Sequence, residues 1–450
     1  MSDQVESTEQ DRLERLRGLL SGKRAEERAG RALTLGQGAY SNVLLGALLH
    51  GADRLRQGKA PTDLERILLE VAGEQLSASE TREWGRVYRE EVTAQGGKVA
   101  VLPERITRLP VDQGYALADL KRDFAGLQAE ALAAANVQIM SPAAVAAGEP
   151  EDPAFVEAMA QTGFAVTAFG DLTEPLAAGA TEATDTGQVE EAPADSGESP
   201  EGSSAAAPFR VRLEMDSFYV NRAVGDQGGG KDEIYWTAAT GVGDSGRGQT
   251  FLSEEFGAVK KGQTRSFNSA RKVFFEGSSS GFVGTTICCW EADQSNAKWF
   301  DELQRALLRA IDEIDKYVMA LDFMGFMPTW ASVAWELGKY FTTFMHVWRN
   351  YDDLSCVRTI GLDRQDLAVL AHRGQTAWHF NGDGHHELRV KSTGDKVPFP
   401  TGTSNTPCTP ATTGAHRSPC RGRASHHPPW PRTTASSTPP SYAPSPTTRR

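Results

Sequence analysis

Carboxylates stand at the ends of several strand-like runs in this chain. Asp216, Asp226, Asp232 and Glu233 surround one glycine-rich stretch, "GDQGGGKDEIYW". Glu291 and Asp293 close another run, and Asp352 and Asp353 open a third. Taken alone, the glycine stretch is an ordinary turn, because glycine accepts the backbone angles that turns require. Together with the other acids it suggests an ion site. Calcium takes six to eight oxygens at about 2.3–2.6 Å, commonly from carboxylates on loops. Carboxylates brought together without a cation repel one another. The preferred ligands are Glu291, Asp293, Asp352 and Asp353, with Asp216 and Asp232 completing the shell.

Other chemistries fit less well. His379, His385, His386 and Glu387 suggest a transition metal, but strand alternation sends His385 and His386 to opposite faces. "GDSGRG" around Ser245 superficially resembles a trypsin-like nucleophile motif, yet Thr240 stands where such a site needs histidine. No phosphate loop and no dinucleotide fingerprint is present. The five cysteines, at 288, 289, 356, 408 and 420, have neither zinc nor disulfide-framework spacing. Cys288 and Cys289 are adjacent and read as small packing residues on opposite faces of a strand. A formal net charge of -12 argues against the whole chain binding nucleic acid, which requires clustered Lys and Arg.

The elements that must position these groups fall into four compositional regimes. Residues 1–170 read as a helical domain. "TDLERILLEVAGEQL" places Leu64, Ile67, Leu68 and Val71 on one stripe, and Ser79 is a candidate N-cap for the next helix. A third helix carries Leu117, Leu120, Phe124, Leu127 and Leu132. Residues 171–207 hold about nine acids and no Lys or Arg, the composition of a disordered linker. From 208 to 403 the period shifts to that of strands. "FRVRLEMDSFYV", "DEIYWTAAT", "RKVFFEG", "FVGTTICCWEAD", "LSCVRTIGL", "DLAVLAHRG", "TAWHFNG" and "HELRVKS" predict an antiparallel β-sandwich, with NGDG at 381–384 as a hairpin turn. A helical insertion, 295–350, interrupts them; Pro328 separates its two helices. Residues 404–450 are rich in Pro, Ser, Thr and Arg and predict a disordered tail. The composition breaks there as abruptly as a shift of reading frame would produce. The polar N-terminus predicts a cytoplasmic protein, with peripheral membrane attachment or signal-less export as variants.

The run "ICCWEAD" followed, after the insertion, by "YDDLSC" resembles the third calcium loop of the C-two domains, the calcium-dependent phospholipid-binding sandwiches. Glu291, Asp293 and Asp353 match that loop's acidic positions, and Asp216 or Asp232 match the first-loop aspartates. The "DE-x-Y" strand start (Asp232 to Tyr235) and the Gly382-Asp383-Gly384 turn also resemble bacterial modules of this kind. The resemblance implies a non-catalytic module that holds Ca2+ and attaches to phospholipid or to a partner protein. Two alternatives stay open. One is a membrane-inserting effector acting through a 317–348 hairpin; the other is an enzyme using the acidic cluster for acid–base chemistry.

Overall fold

Helix boundaries follow local capping chemistry. The computed structural model describes residues 8–22, 42–169, 209–223, 232–242, 248–279, 282–291, 326–349 and 354–395. All belong to one compact unit, Met1–Phe399. The acidic 171–207 segment, the 404–450 tail and the first helix of the insertion lie outside the described residues. In chain order the elements are α1 (Glu9–Leu20), α2 (Val43–Arg56), α3 (Asp63–Gly73), α4 (Ala78–Ala94), α5 (Glu104–Thr107), α6 (Leu117–Ala133), β1 (Val137–Met140), α7 (Pro142–Ala147), α8 (Pro153–Thr162) and β2 (Phe164–Phe169). There follow β3 (Phe209–Arg222), β4 (Asp232–Val242), β5 (Gln249–Leu252), β6 (Phe256–Val259), β7 (Thr264–Ser266), β8 (Val273–Ser279) and β9 (Phe282–Glu291). The last are α9 (Phe326–Arg349), β10 (Leu354–Asp363), α10 (Arg364–Arg373), β11 (Gln375–Asn381) and β12 (His385–Gly394).

At α3 the capping box is complete: Thr62 Oγ1 accepts from the Glu65 amide (3.2 Å), and Glu65 Oε2 accepts from the Thr62 amide (2.8 Å). The cap of α4 is Ser77 rather than Ser79; its Oγ accepts from the Glu80 amide at 3.1 Å. The stripe on α6 buries Leu117, Leu120, Phe124 and Leu127 but leaves Leu132 exposed. Leu132 is five positions beyond Leu127, too far round a 3.6-residue helix to share its face, and Gln128 and Ala131 continue the buried stripe instead. Pro328 lies in the first turn of α9, where no intrahelical amide bond is lost.

Seven of the strand-like runs form β3, β4 and β8 to β12. The exception is "DLAVLAHRG", which belongs to α10. The Asp363 carboxylate caps it by accepting from the Asp366 amide (2.7 Å), and Gly374, at φ 74°, ends it. Leu367 and Leu370 are then one helical turn apart, and both are buried. The 1–170 segment, in turn, is not wholly helical. It contributes β1 and β2 to a sheet.

That sheet has the order β1-β2-β10-β9-β4-β5, with β6 also paired to β4. β1 and β10 flank β2 in parallel, and the remaining pairs are antiparallel. The second sheet, β11-β12-β3-β7 with β8 also on β3, is antiparallel. One face of the first sheet meets the second sheet across a core containing Trp236, Ile287, Cys289, Ile360, Phe218, Phe380 and Leu388. Trp236 lies edge-on to Phe380, with ring centres 4.9 Å apart. The opposite face, with Phe164, Val166, Tyr235, Cys288, Trp290 and Val357, packs into the core of α9 and the N-terminal helices.

Close approaches fix these layers. A Cβ on Gly361 of β10 would fall 2.5 Å from the Trp330 ring of α9, and one on Gly338 of α9 would fall 2.9 Å from Phe164 of β2. Where α4 crosses α2, a Cβ on Gly85 would lie 2.4 Å from the Asp53 backbone nitrogen, which no side-chain rotation can relieve. Gly85→Ala is therefore expected to lower unfolding free energy by about 1–3 kcal/mol. Gly73→Ala, which meets nothing within 4 Å, is expected to leave it unchanged or slightly higher. Paired urea melts of the two variants check this.

Candidate functional site

Backbone register decides which acids come together. β4 begins at Asp232 and β9 ends at Glu291, and Ile234 stands opposite Glu291. β10 starts at Leu354, opposite Trp290. Neighbouring strands lie about 4.8 Å apart. The start of β4, the end of β9 and the start of β10 thus form one rim of the first sheet. Asp352 and Asp353 directly precede Leu354 in the chain, but they and Asp293 lie outside the described residues. For Asp232 the backbone alone is described. Glu291 is half-buried.

Asp216 is elsewhere. It sits within β3 of the second sheet, where Lys391 Nζ donates to its Oδ1 at 2.6 Å and Gln375 reaches its Oδ2 at 3.4 Å. A carboxylate already neutralised by an ammonium has little need of a further cation. Among the described residues, no group of three or more His, Cys, Asp or Glu side chains converges closely enough to hold a metal.

An acid that the sequence reading passed over is Asp383. The 382–384 turn docks on β10: the Asp383 amide donates to the Ser355 carbonyl (3.2 Å), and the Gly384 amide donates to Ser355 Oγ (2.9 Å). Glycine is required at 382 because a Cβ there would lie 1.7 Å from the Ser355 oxygen. Asp383 itself is exposed, and its turn docks at Ser355, the second residue of β10. Arg222 holds the turn from the other side, donating to Asn381 Oδ1 (2.9 Å), the Gly382 carbonyl (3.0 Å) and the Asp383 carbonyl (3.4 Å). The NGDG signal marked a tight turn. It did not reveal that the turn would fold onto β10.

The histidines divide as strand alternation requires. His386 is fully buried, edge-on to Phe218 and Trp236, and neither ring nitrogen has a hydrogen-bond partner. His385 lies on the other face, and its Nε2 is 3.0 Å from Nδ1 of His379. The sequence reading compared His385 with His386 and missed the pair that meets. Hairpin register would have found it, since residues flanking NGDG at equal parity share a face.

Remaining candidates have structural roles. Cys288, Cys289 and Cys356 are free and buried; desolvation pushes the Cys288 thiol well above its ordinary range, the reverse of nucleophile activation. Thr240 is buried and bonded to Thr285 (2.8 Å), and Ser245 lies outside the described residues. Arg358, fully buried, donates to Thr167 Oγ1 and the His379 carbonyl and pairs with Glu151. It ties the N-terminal segment to both sheets. Within α9, Lys339 and Glu336 form a buried pair, with the ammonium 3.4 Å from the Trp335 ring centre. No described helix is long and apolar enough to cross a membrane. The chain matches no protein-family model, no curated protein and no solved structure.

Two buried groups set opposite pH limits. Desolvation, then the charge of His385, lowers His386 to about 3. The unfolded chain, with histidine near its ordinary value, binds the extra proton first. Stability is therefore full above the ordinary histidine range and falls as pH drops from about 6.5 towards 3. Asp366 is raised to about 10 by burial, then by the neighbouring Asp363 charge. Its contribution is complete below the ordinary carboxylate range and is lost as pH climbs from about 4 towards 10. His386→Leu should flatten the acid limb of a plot of melting temperature against pH. Asp366→Asn should stabilise increasingly with pH, by up to about 1.4 kcal/mol per unit. Parallel limbs in wild type and both variants would refute the two assignments.

Proposed function

We propose that this chain is a non-catalytic binding module, a C-two-like β-sandwich. Its acidic rim takes up calcium and thereby attaches to an anionic phospholipid surface. One observation carries the reading: the register that sets Ile234, two residues after Asp232, opposite Glu291, and Leu354 opposite Trp290, so that the start of β4, the end of β9 and the start of β10 share one rim. In the chain Asp353 and Asp352 precede the first residue of β10 by one and two positions. Exposed Asp383 lies beside it. Several carboxylates on one rim repel each other and repel anionic headgroups. A divalent ion removes both repulsions and leaves open coordination positions for headgroup oxygens. Asp216, occupied by Lys391, is left out of the proposed shell.

The test uses the full chain. Calorimetric titration with CaCl2 should give a saturable isotherm at micromolar to millimolar ion, and vesicles of phosphatidylserine and phosphatidylcholine should pellet the protein with calcium but not with chelator. Glu291→Gln and Asp353→Asn should each weaken calcium binding at least tenfold, about 1.4 kcal/mol. Asp216→Asn should not change it. Absence of heat at several millimolar calcium, together with calcium-independent sedimentation, would overturn the proposal. Binding of calcium without vesicle capture would point to a protein partner.

A further inference from the structure

β11 and β12 are joined through the 382–384 turn, and their register pairs His379 with Glu387 and Asn381 with His385. These four side chains share the face that points away from the inter-sheet core, while Trp378, Phe380, His386 and Leu388 fill that core. His379 and His385 are diagonal neighbours on that face. Their rings are tilted by 53° with centres 5.2 Å apart, and Nδ1 of one is 3.0 Å from Nε2 of the other.

We propose that His379 and His385 form a cross-strand chelate for a borderline-soft divalent metal such as Cu2+, Ni2+ or Zn2+. Two imidazole nitrogens bound at about 2.0–2.1 Å, at angles between octahedral and tetrahedral, stand about 2.9–3.4 Å apart. The observed separation lies within that span, so coordination needs little rearrangement of either strand.

Two features prepare the pair. Both residues are half-buried rather than sealed in the core. The His379 backbone is clamped on both sides, its amide donating to Glu151 Oε2 (2.8 Å) and its carbonyl accepting from Arg358 Nη1 (2.9 Å). A fixed backbone lowers the entropic cost of ordering the ligand. Glu387, directly across from His379, bonds to Arg389 at 3.3 Å and does not converge with the two histidines, so the proposed chelate has two protein ligands. Arg222, opposite His385, brings the opposing charge, but its donors are spent on the 381–383 oxygens.

This chelate is independent of the calcium rim. It uses nitrogen donors on the second sheet, whereas calcium takes oxygen.

Chelator-cleared full chain is titrated with CuCl2 and followed by electron paramagnetic resonance, and with ZnCl2 by calorimetry. One equivalent should bind tightest, with hyperfine structure from two imidazole nitrogens. His379→Gln and His385→Gln should each weaken that site at least tenfold, with wild-type circular dichroism, and the double variant should lose it. His426→Ala/His427→Ala, which removes the vicinal histidines in the chain beyond 403, should leave it intact. Tight binding that survives the 379/385 double variant, that is lost with 426/427, or that shows fewer than two nitrogens overturns the proposal. So does binding no tighter than millimolar. If a Gln variant fails to fold, the nitrogen count on wild-type protein decides.

Discussion

The central strands of the first sheet, β2 and β10 above all, are buried on both faces, and the rest of the fold answers to that. A sheet with one wet face can alternate polar and apolar residues, but a central layer cannot. Cys288 and Cys289 are consecutive, point to opposite sides and are both fully buried, one against the α9 layer and one against the second sheet. β2 and nearly all of β10 are likewise buried residue after residue. The helix covering this sheet must come close, and glycines at 338 and 361 allow it. Polar groups carried into such a layer need partners within it. Arg358 finds Thr167, Glu151 and the His379 carbonyl. Lys339 and Glu336 find each other inside α9; desolvation favours the neutral form of each, and their mutual attraction opposes it. Breaking one such pair strands a buried charge, which costs far more than a surface ion pair contributes.

The same layer connects architecture to the proposed chemistry. Strands packed on both faces hold their register firmly, because a one-residue slip would turn every side chain to the wrong layer. The strand ends then become fixed points from which loops start. Asp232 at the start of β4 and Glu291 at the end of β9 inherit that rigidity at their backbones. Ser355 adds to it by accepting the 382–384 turn and so linking the rim to the second sheet. The histidine pair profits from a different anchor, the bonds of Glu151 and Arg358 to the backbone of His379.

Legibility in the sequence tracked the range of the forces involved. The stripe of α3, that of α6 as far as Leu127, and the alternation of β3 could be read directly. Errors arose where two local patterns compete. "DLAVLAHRG" offers apolar residues that suit a short strand or a helix, and the Asp363 cap with the Gly374 stop settled it as a helix. β2, "FAVTAF", looked unremarkable because its partner, β10, lies nearly two hundred residues away. Among site residues, Asp216 was grouped with the rim acids by type, although its strand belongs to the other sheet.

Composition and periodicity by themselves determined that a helix-rich segment precedes a strand-rich one and that His385 and His386 must diverge. These are properties of single segments, set by a period of 3.6 or 2 and by the nearest few residues. Tertiary structure alone decided that β2 and β10, far apart in sequence, pair in one sheet and that α9 packs against it. It also decided that Lys391 takes Asp216 and that His379 reaches His385. Each of those depends on strand register between distant segments. Register is selected by burial summed over a whole layer, a quantity that no short window of sequence contains.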